Sequence, residues 1–119
     1  LVSHRMRRFD PDAAYRLIAD HKVRTLFLPP TALKLMRQAA VPAGVDIRSV
    51  GSGGESLGAE LHDWAEAALG AAINELYGQT ECNLVISTCH GAMELKPGSM
   101  GKAVPGHDVA IIGAVISTW

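Results

Sequence analysis

Five consecutive residues, Tyr77-Gly78-Gln79-Thr80-Glu81, set an aromatic ring, a bare backbone position, an amide, a hydroxyl and a carboxylate side by side. These types suit a nucleotide: a base stacks on the ring, the hydroxyl donates to phosphate, and the carboxylate shares a divalent cation. Just before them Ala72, Ile73 and Leu76 read as a short strand, so the polar group falls at a carboxyl end, where open parallel sheets bind ligands. A second candidate is Gly51-Ser52-Gly53-Gly54-Glu55, read as a loop from strand to helix, where glycines let a ligand approach the backbone closely. Neither it nor Gly98-Ser99-Met100-Gly101-Lys102-Ala103 satisfies the G-x-x-x-x-G-K-[ST] pattern of a phosphate cradle.

Other residues invite rival chemistry. Gly54-Glu55-Ser56-Leu57-Gly58 is a formal G-x-S-x-G, and Ser56, Glu94 and His107 follow in the chain order of a hydrolase triad. Against that reading, the apolar strand is expected to stop at Val50, short of the elbow such a serine needs. Cys82, Cys89 and His90 lie close in sequence, but zinc requires three or four ligands at recognised spacings. His21, His62 and His107 are scattered, and Trp64 falls on the buried face of its helix. The basic cluster His4, Arg5, Arg7 and Arg8 reads as a solvated lead-in.

The elements that must position these residues can be read in order. Asp10 before Pro11 signals a helix start, and a helix to about Asp20 buries Ala13, Ala14, Leu17 and Ile18. Val23 to Leu28 reads as a strand ended by Pro29-Pro30. Thr31 is expected to cap a helix over Ala32 to Ala39. Ile47 to Val50 follows as a strand, Ala59 to Leu69 as an amphipathic helix, and Ala72 to Leu76 as the third strand. Helices alternating with strands across short connections predict the α/β pattern of a doubly wound parallel sheet. Beyond Glu81, Leu84 to Thr88 and Val109 to Ile112 predict a short β-rich segment.

The 119 residues make one domain's worth of chain, 48% hydrophobic and 19% charged, enough to bury a core. A formal net charge of -1 offers no basic field for nucleic acid. Two cysteines make no disulfide framework, so a reducing, cytoplasmic setting is expected. No apolar run approaches the ~20 residues of a membrane span, and a soluble protein is expected. The first residue, Leu1, suggests a chain cut from something longer.

Tyr77 to Glu81, taken with Ser52-Gly53-Gly54-Glu55, Arg8-Phe9-Asp10-Pro11-Asp12 and Lys96-Pro97-Gly98-Ser99-Met100-Gly101, resembles the AMP-forming adenylating enzymes, and medium-chain acyl-CoA synthetases most of all. The resemblance covers residues 1–112, as the central part of an AMP-binding domain, and leaves 113–119 as an unmatched tail. It implies that Gly53, Gly54 and Glu55 line the adenine pocket, that Glu75 stands near the adenine edge, and that Tyr77 stacks on the base. Gly78 and Gln79 belong to the same nucleotide site, Thr80 meets the phosphates, and Glu81 binds Mg2+. It further implies ATP, Mg2+ and coenzyme A as the reaction's companions, and a small carboxylic acid as substrate. Family members that activate acetate carry tryptophan at the position of Gly78, so glycine there implies a longer acid. The family's phosphate loop, ribose-binding aspartate, downstream arginine and C-terminal lid have no match among these residues. The expectation is therefore a fragment with weak or no adenylating activity of its own, prone to aggregate or to form a homo-oligomer. A non-catalytic nucleotide-binding remnant is the alternative.

Overall fold

The computed structural model describes residues 1–2, 5–96 and 98–112. The expected tail, 113–119, and His4 of the basic cluster lie outside them.

Helix α1, Pro11–Asp20, begins as the sequence predicts. The Asp10 carboxylate accepts from the N–H groups of Asp12 at 3.0 Å and Ala13 at 3.2 Å, and Pro11 fills the first helical position. Its fully buried residues are Ala14, Tyr15 and Ile18. Tyr15 was not among those the helical spacing picked out. Its hydroxyl donates to the Met36 carbonyl at 3.2 Å and ties α1 to the end of the next helix.

Strand β1, Thr25–Phe27, leads into α2, Pro30–Met36, which differs from the expected helix in where it starts. Pro29 stands at the cap, and its carbonyl accepts from Ala32 at 3.0 Å and Leu33 at 3.2 Å. Thr31 is not the cap, because Pro30 sets a helical φ one residue earlier and leaves Thr31 inside the first turn. Its hydroxyl turns to Glu55 instead.

Strand β2, Ser49–Gly53, runs through the glycines that the sequence reading left as a loop. Parallel pairing draws them in: Val50 opposes Ile73, Gly51 opposes Asn74, Ser52 opposes Glu75 and Gly53 opposes Leu76. Any Cβ at Gly53 would meet the Leu76 carbonyl, so only glycine permits this approach. Helix α3, Ala59–Trp64, continues as a π-helical turn, Ala65–Leu69, and ends at Gly70 in the left-handed region. Trp64 is only half buried against the core. Strand β3, Ile73–Gln79, extends past the expected Leu76, so Tyr77, Gly78 and Gln79 are strand residues rather than loop.

Strand β4, Asn83–Ser87, returns antiparallel to β3, and β5, Lys102–Ala103, pairs antiparallel with β4. The strand expected at Val109 to Ile112 does not form, and Ile111 and Ile112 lie exposed. Among the described residues the sheet order is β1-β2-β3-β4-β5. Both parallel crossovers step the same way, so the right-handed rule places α2 and α3 on one face. One core seam, in which Leu26, Val50 and Ile73 meet Tyr15, Leu33, Met36 and Leu61, confirms that placement. Among the described residues the helices therefore cover one face of the sheet, and the expected α/β order of parallel βαβ units followed by a short β-rich segment is what forms. Each of these buried aliphatic side chains contributes about 1.5–3 kcal/mol, which outweighs an exposed ion pair such as Arg24–Asp46 at roughly 0–1 kcal/mol. Across the outer ends of the helices, Arg37 lies 2.8 Å from Glu60 and holds its carboxyl below the usual range. That link is present above the ordinary carboxylate pKa and is lost as pH falls through the lowered value.

The β3–β4 hairpin carries a bulge, since Tyr77 opposes Ile86 but Gly78 opposes Leu84, leaving Val85 over. Its turn is closed by the Cys82 N–H on the Gln79 carbonyl at 3.2 Å, and Asn83 takes a φ of 60°. At Gly78 a Cβ would fall onto the Asn83 carbonyl. Thr88 locks the far end: its hydroxyl accepts from the Glu75 N–H at 2.7 Å, and its own N–H donates to the Glu75 carbonyl at 2.9 Å.

Two outcomes follow from this packing. Replacing Tyr15 with Phe removes the donor to Met36 and should cost about 0.5–1.5 kcal/mol in urea unfolding at neutral pH. Burial pushes the Tyr15 phenol up, so its contribution is complete below the ordinary phenol pKa and is lost as pH rises through the raised value. The Phe variant should lack that alkaline loss, and equal urea midpoints at neutral pH would contradict the account. Gly78→Ala should cost about 1–3 kcal/mol by forcing the hairpin apart, and an unchanged thermal midpoint would show that Asn83 yields freely.

Candidate functional site

The carboxyl ends of β1, β2 and β3 lie together, which follows from their parallel register. Between them and the start of β4 opens a cleft of about 680 Å³. Of the residues singled out in the sequence, Gly53, Gly54, Gly78, Gln79 and Thr80 line it. Phe27, Leu76, Asn83 and Leu84 complete the lining and were not anticipated. Strand alternation was the signal that could have found two of them, Leu76 and Leu84. Gly78 and Leu84 are register partners, while Leu76 and Gly78 stand two apart on β3, so all three point to the face opposite the helices.

The remaining site residues are placed differently. Glu75 and Tyr77 alternate with Leu76 and Gly78, and so share the helix-side face with Ile73. Glu75 is buried at 8% exposure, whereas Tyr77, beyond the cover of the helices, presents its ring at 37%. Glu81 stands exposed in the turn of the hairpin beside Thr80. Glu55 is exposed, and both its carboxylate oxygens lie within reach of the Thr31 hydroxyl, at 2.8 and 2.9 Å. β3 thus has the exposed ring of Tyr77 on one face and an apolar groove on the other.

Gly54 is the glycine whose freedom the cleft uses. Its φ of 92° is costly for a residue with a side chain, and the space where a Cβ would project is open. Gly53 and Gly78, by contrast, are glycines because neighbouring backbone leaves no room. At Gly78 the hairpin itself requires glycine, independently of what the residue implies for acid length.

Among the described residues no group of three or more His, Cys, Asp or Glu side chains could hold a metal ion. Cys82 and Cys89 are exposed, free thiols. Glu81 alone fits Mg2+ only as a shared ligand, which is how this ion is commonly held, by one or two carboxylates together with substrate phosphates. The triad order Ser56, Glu94, His107 remains an order in sequence. Although β2 ends nearer Ser56 than expected, all three are exposed and no hydrogen bond joins them among the described residues. A second groove, between Lys34 and Arg37 at the end of α2 and Gly58 and Glu60 at the start of α3, contains none of the candidate nucleotide-site residues. No helix of the described residues is long and apolar enough to cross a membrane.

This arrangement is shared with known proteins. A family model described as AMP-binding enzyme matches residues 1–115. The mitochondrial acyl-coenzyme A synthetase ACSM4 of Homo sapiens is 34% identical over 111 residues, covering 92% of this chain and 19% of the relative. The acetyl-coenzyme A synthetase of Bacillus subtilis is 32% identical over 110 residues, covering 88% and 19%. The crystal structure of Brucella canis acyl-CoA synthetase matches with a TM-score of 0.82 at 37% identity, over 89% of this chain and 20% of that one. A benzoate CoA ligase from Burkholderia xenovorans matches with a TM-score of 0.72 at 31% identity, over 81% and 20%. The chain thus spans about one fifth of the length of these relatives. The family match over nearly every residue shows that the chain belongs to the AMP-binding enzyme family, and the structural likeness shows that it carries part of the adenylate-forming fold.

Proposed function

We propose that this chain supplies the adenine-binding and magnesium-binding side of an ATP-dependent acid–thiol ligase. One observation carries the reading: two motifs far apart in sequence, Gly53-Gly54 and Gly78-Gln79-Thr80, meet at one cleft at the carboxyl end of parallel strands. Tyr77 offers its exposed ring to the base from the helix-side face of β3, with Glu75 beneath it, while Gly53 and Gly54 approach from the end of the neighbouring strand β2. The Thr80 hydroxyl donates to phosphate at the cleft wall, and Glu81 contributes one carboxylate at the turn. Mg2+, when bound with the phosphates, would neutralise their charge.

The chemistry served is a two-step transfer. A carboxylate oxygen of the acid bonds to the α-phosphorus of ATP, the bond to pyrophosphate breaks, and an acyl-adenylate results. The coenzyme A thiol then attacks the acyl carbon, loses its proton, and releases AMP. Thr80 acts by orienting phosphate oxygen as charge shifts toward the leaving group. The apolar wall of Phe27, Leu76 and Leu84 suits an aliphatic chain of medium length. That wall, more than Gly78, supports a fatty acid as substrate. Two free thiols fit a reducing, cytoplasmic compartment. With Phe27 68% exposed on the uncovered face the isolated chain should self-associate, and spanning about one fifth of its relatives it should adenylate weakly or not at all.

Titration of the 119-residue protein with ATP and Mg2+ tests the site. Tyr77→Ala should weaken binding by roughly 5- to 100-fold, the worth of one base stack. Glu81→Ala should weaken it only when Mg2+ is present, and equal weakening in chelator would refute the metal role. Absence of binding by the wild type would favour a structural remnant. Separately, acid-dependent pyrophosphate exchange should be near background, and a rate like that of full-length relatives would contradict the weak-activity expectation.

A further inference from the structure

We infer that Thr31 is a positioning residue for the loop Gly53-Gly54-Glu55, holding it in the one shape that meets the base. The inference rests on the nucleotide-site reading above. As the chain leaves β2 it passes Gly54, at a φ of 92°, with no neighbour within 4 Å of where a side chain would project. Gly53 is fixed in β2, but nothing at Gly54 itself stops the chain beyond it from swinging, because glycine is the least restricted residue. The restraint comes from the segment between β1 and α2. The Leu28 N–H donates to the Gly51 carbonyl at 3.1 Å, and the hydroxyl of the fully buried Ser52 donates to the Leu28 carbonyl at 2.7 Å. Both bonds fall before the glycine pair. Beyond it, Thr31 is 2.8 and 2.9 Å from the two Glu55 oxygens, and its single proton serves either one.

The segment giving these anchors is stiff. Pro29 and Pro30 fix two successive φ angles, and Thr31 sits in the first turn of α2, whose Leu33 and Met36 are fully buried. Thr31 therefore ties a rigid body to the residue just beyond the permissive Gly54. Glu55 makes no other side-chain hydrogen bond among the described residues. Its carboxylate is thus engaged with Thr31, and the loop presents backbone, not this charge, to the base.

Thr31→Val, which keeps the shape and removes the hydroxyl, and Thr31→Ser, which keeps the hydroxyl, test this in the 119-residue chain. Two readouts apply: cleavage after Glu55 by a glutamate-specific protease, followed by mass spectrometry without nucleotide, and the Kd for Mg2+–ATP. Loss of one hydrogen bond to a charged group should speed cleavage after Glu55 and weaken ATP binding, each about tenfold, in Thr31→Val. Thr31→Ser should match the wild type in both. Unchanged cleavage in Thr31→Val, unchanged Kd, or a serine variant as impaired as the valine one would each overturn the inference while wild-type binding stands. A wild type that binds no ATP would overturn the nucleotide reading, and the positioning role with it.

Discussion

The carboxyl end of this sheet depends on how closely the backbone of β3 passes its neighbours. Gly53 lies where a side chain would strike the Leu76 carbonyl, and Gly78 where one would strike that of Asn83. Further along, Gly101, with a φ of 96°, lies against Ser87. Strand pairing at normal spacing accommodates side chains that stand off the sheet; the bulged hairpin and the turning end of β2 do not. Glycine at these positions lets β2, β3 and β4 converge, and that convergence shapes the cleft. A motif glycine can therefore be required by the fold before any ligand is considered.

The same strand divides two environments. On the helix side Ile73 is sealed into the core, Glu75 is buried behind it and Tyr77 emerges at the edge, so burial fades toward the carboxyl end. On the other side Phe27, Leu76 and Leu84 form an apolar wall that no helix of the described residues covers. A single strand thus offers a face with a buried carboxylate and an exposed aromatic ring on one side and an apolar face on the other. Side-chain alternation alone achieves this separation.

Family membership and local physics bear differently on single residues. The match to acyl-CoA synthetases fixes which reaction class to consider, but it leaves open what each side chain touches in this chain. Glu55 shows the difference: the resemblance assigns it to the adenine pocket, and the structure gives its carboxylate a protein partner, Thr31. Gly78 shows the converse, a position tied to acid length by resemblance whose immediate neighbour is backbone.

Much of this was legible in the sequence. Asp10-Pro11 fixed the start of α1 because a cap is a local hydrogen bond, and the spacing of helices and strands fixed the α/β class because periodicity is local too. The order of motifs identified the family. The extension of β2 through Gly53 and of β3 through Gln79 was not legible, since glycines have no strand preference until a partner strand lies beside them. Nor was the role of Thr31, which local rules place at a cap and a partner 24 residues away draws elsewhere. The sequence by itself determined the order of the helices and parallel strands and the family to which they belong. Only the tertiary structure decided which face stays open, which glycines are forced and which carboxylate is held, because each depends on contacts between segments that the chain brings together only by folding.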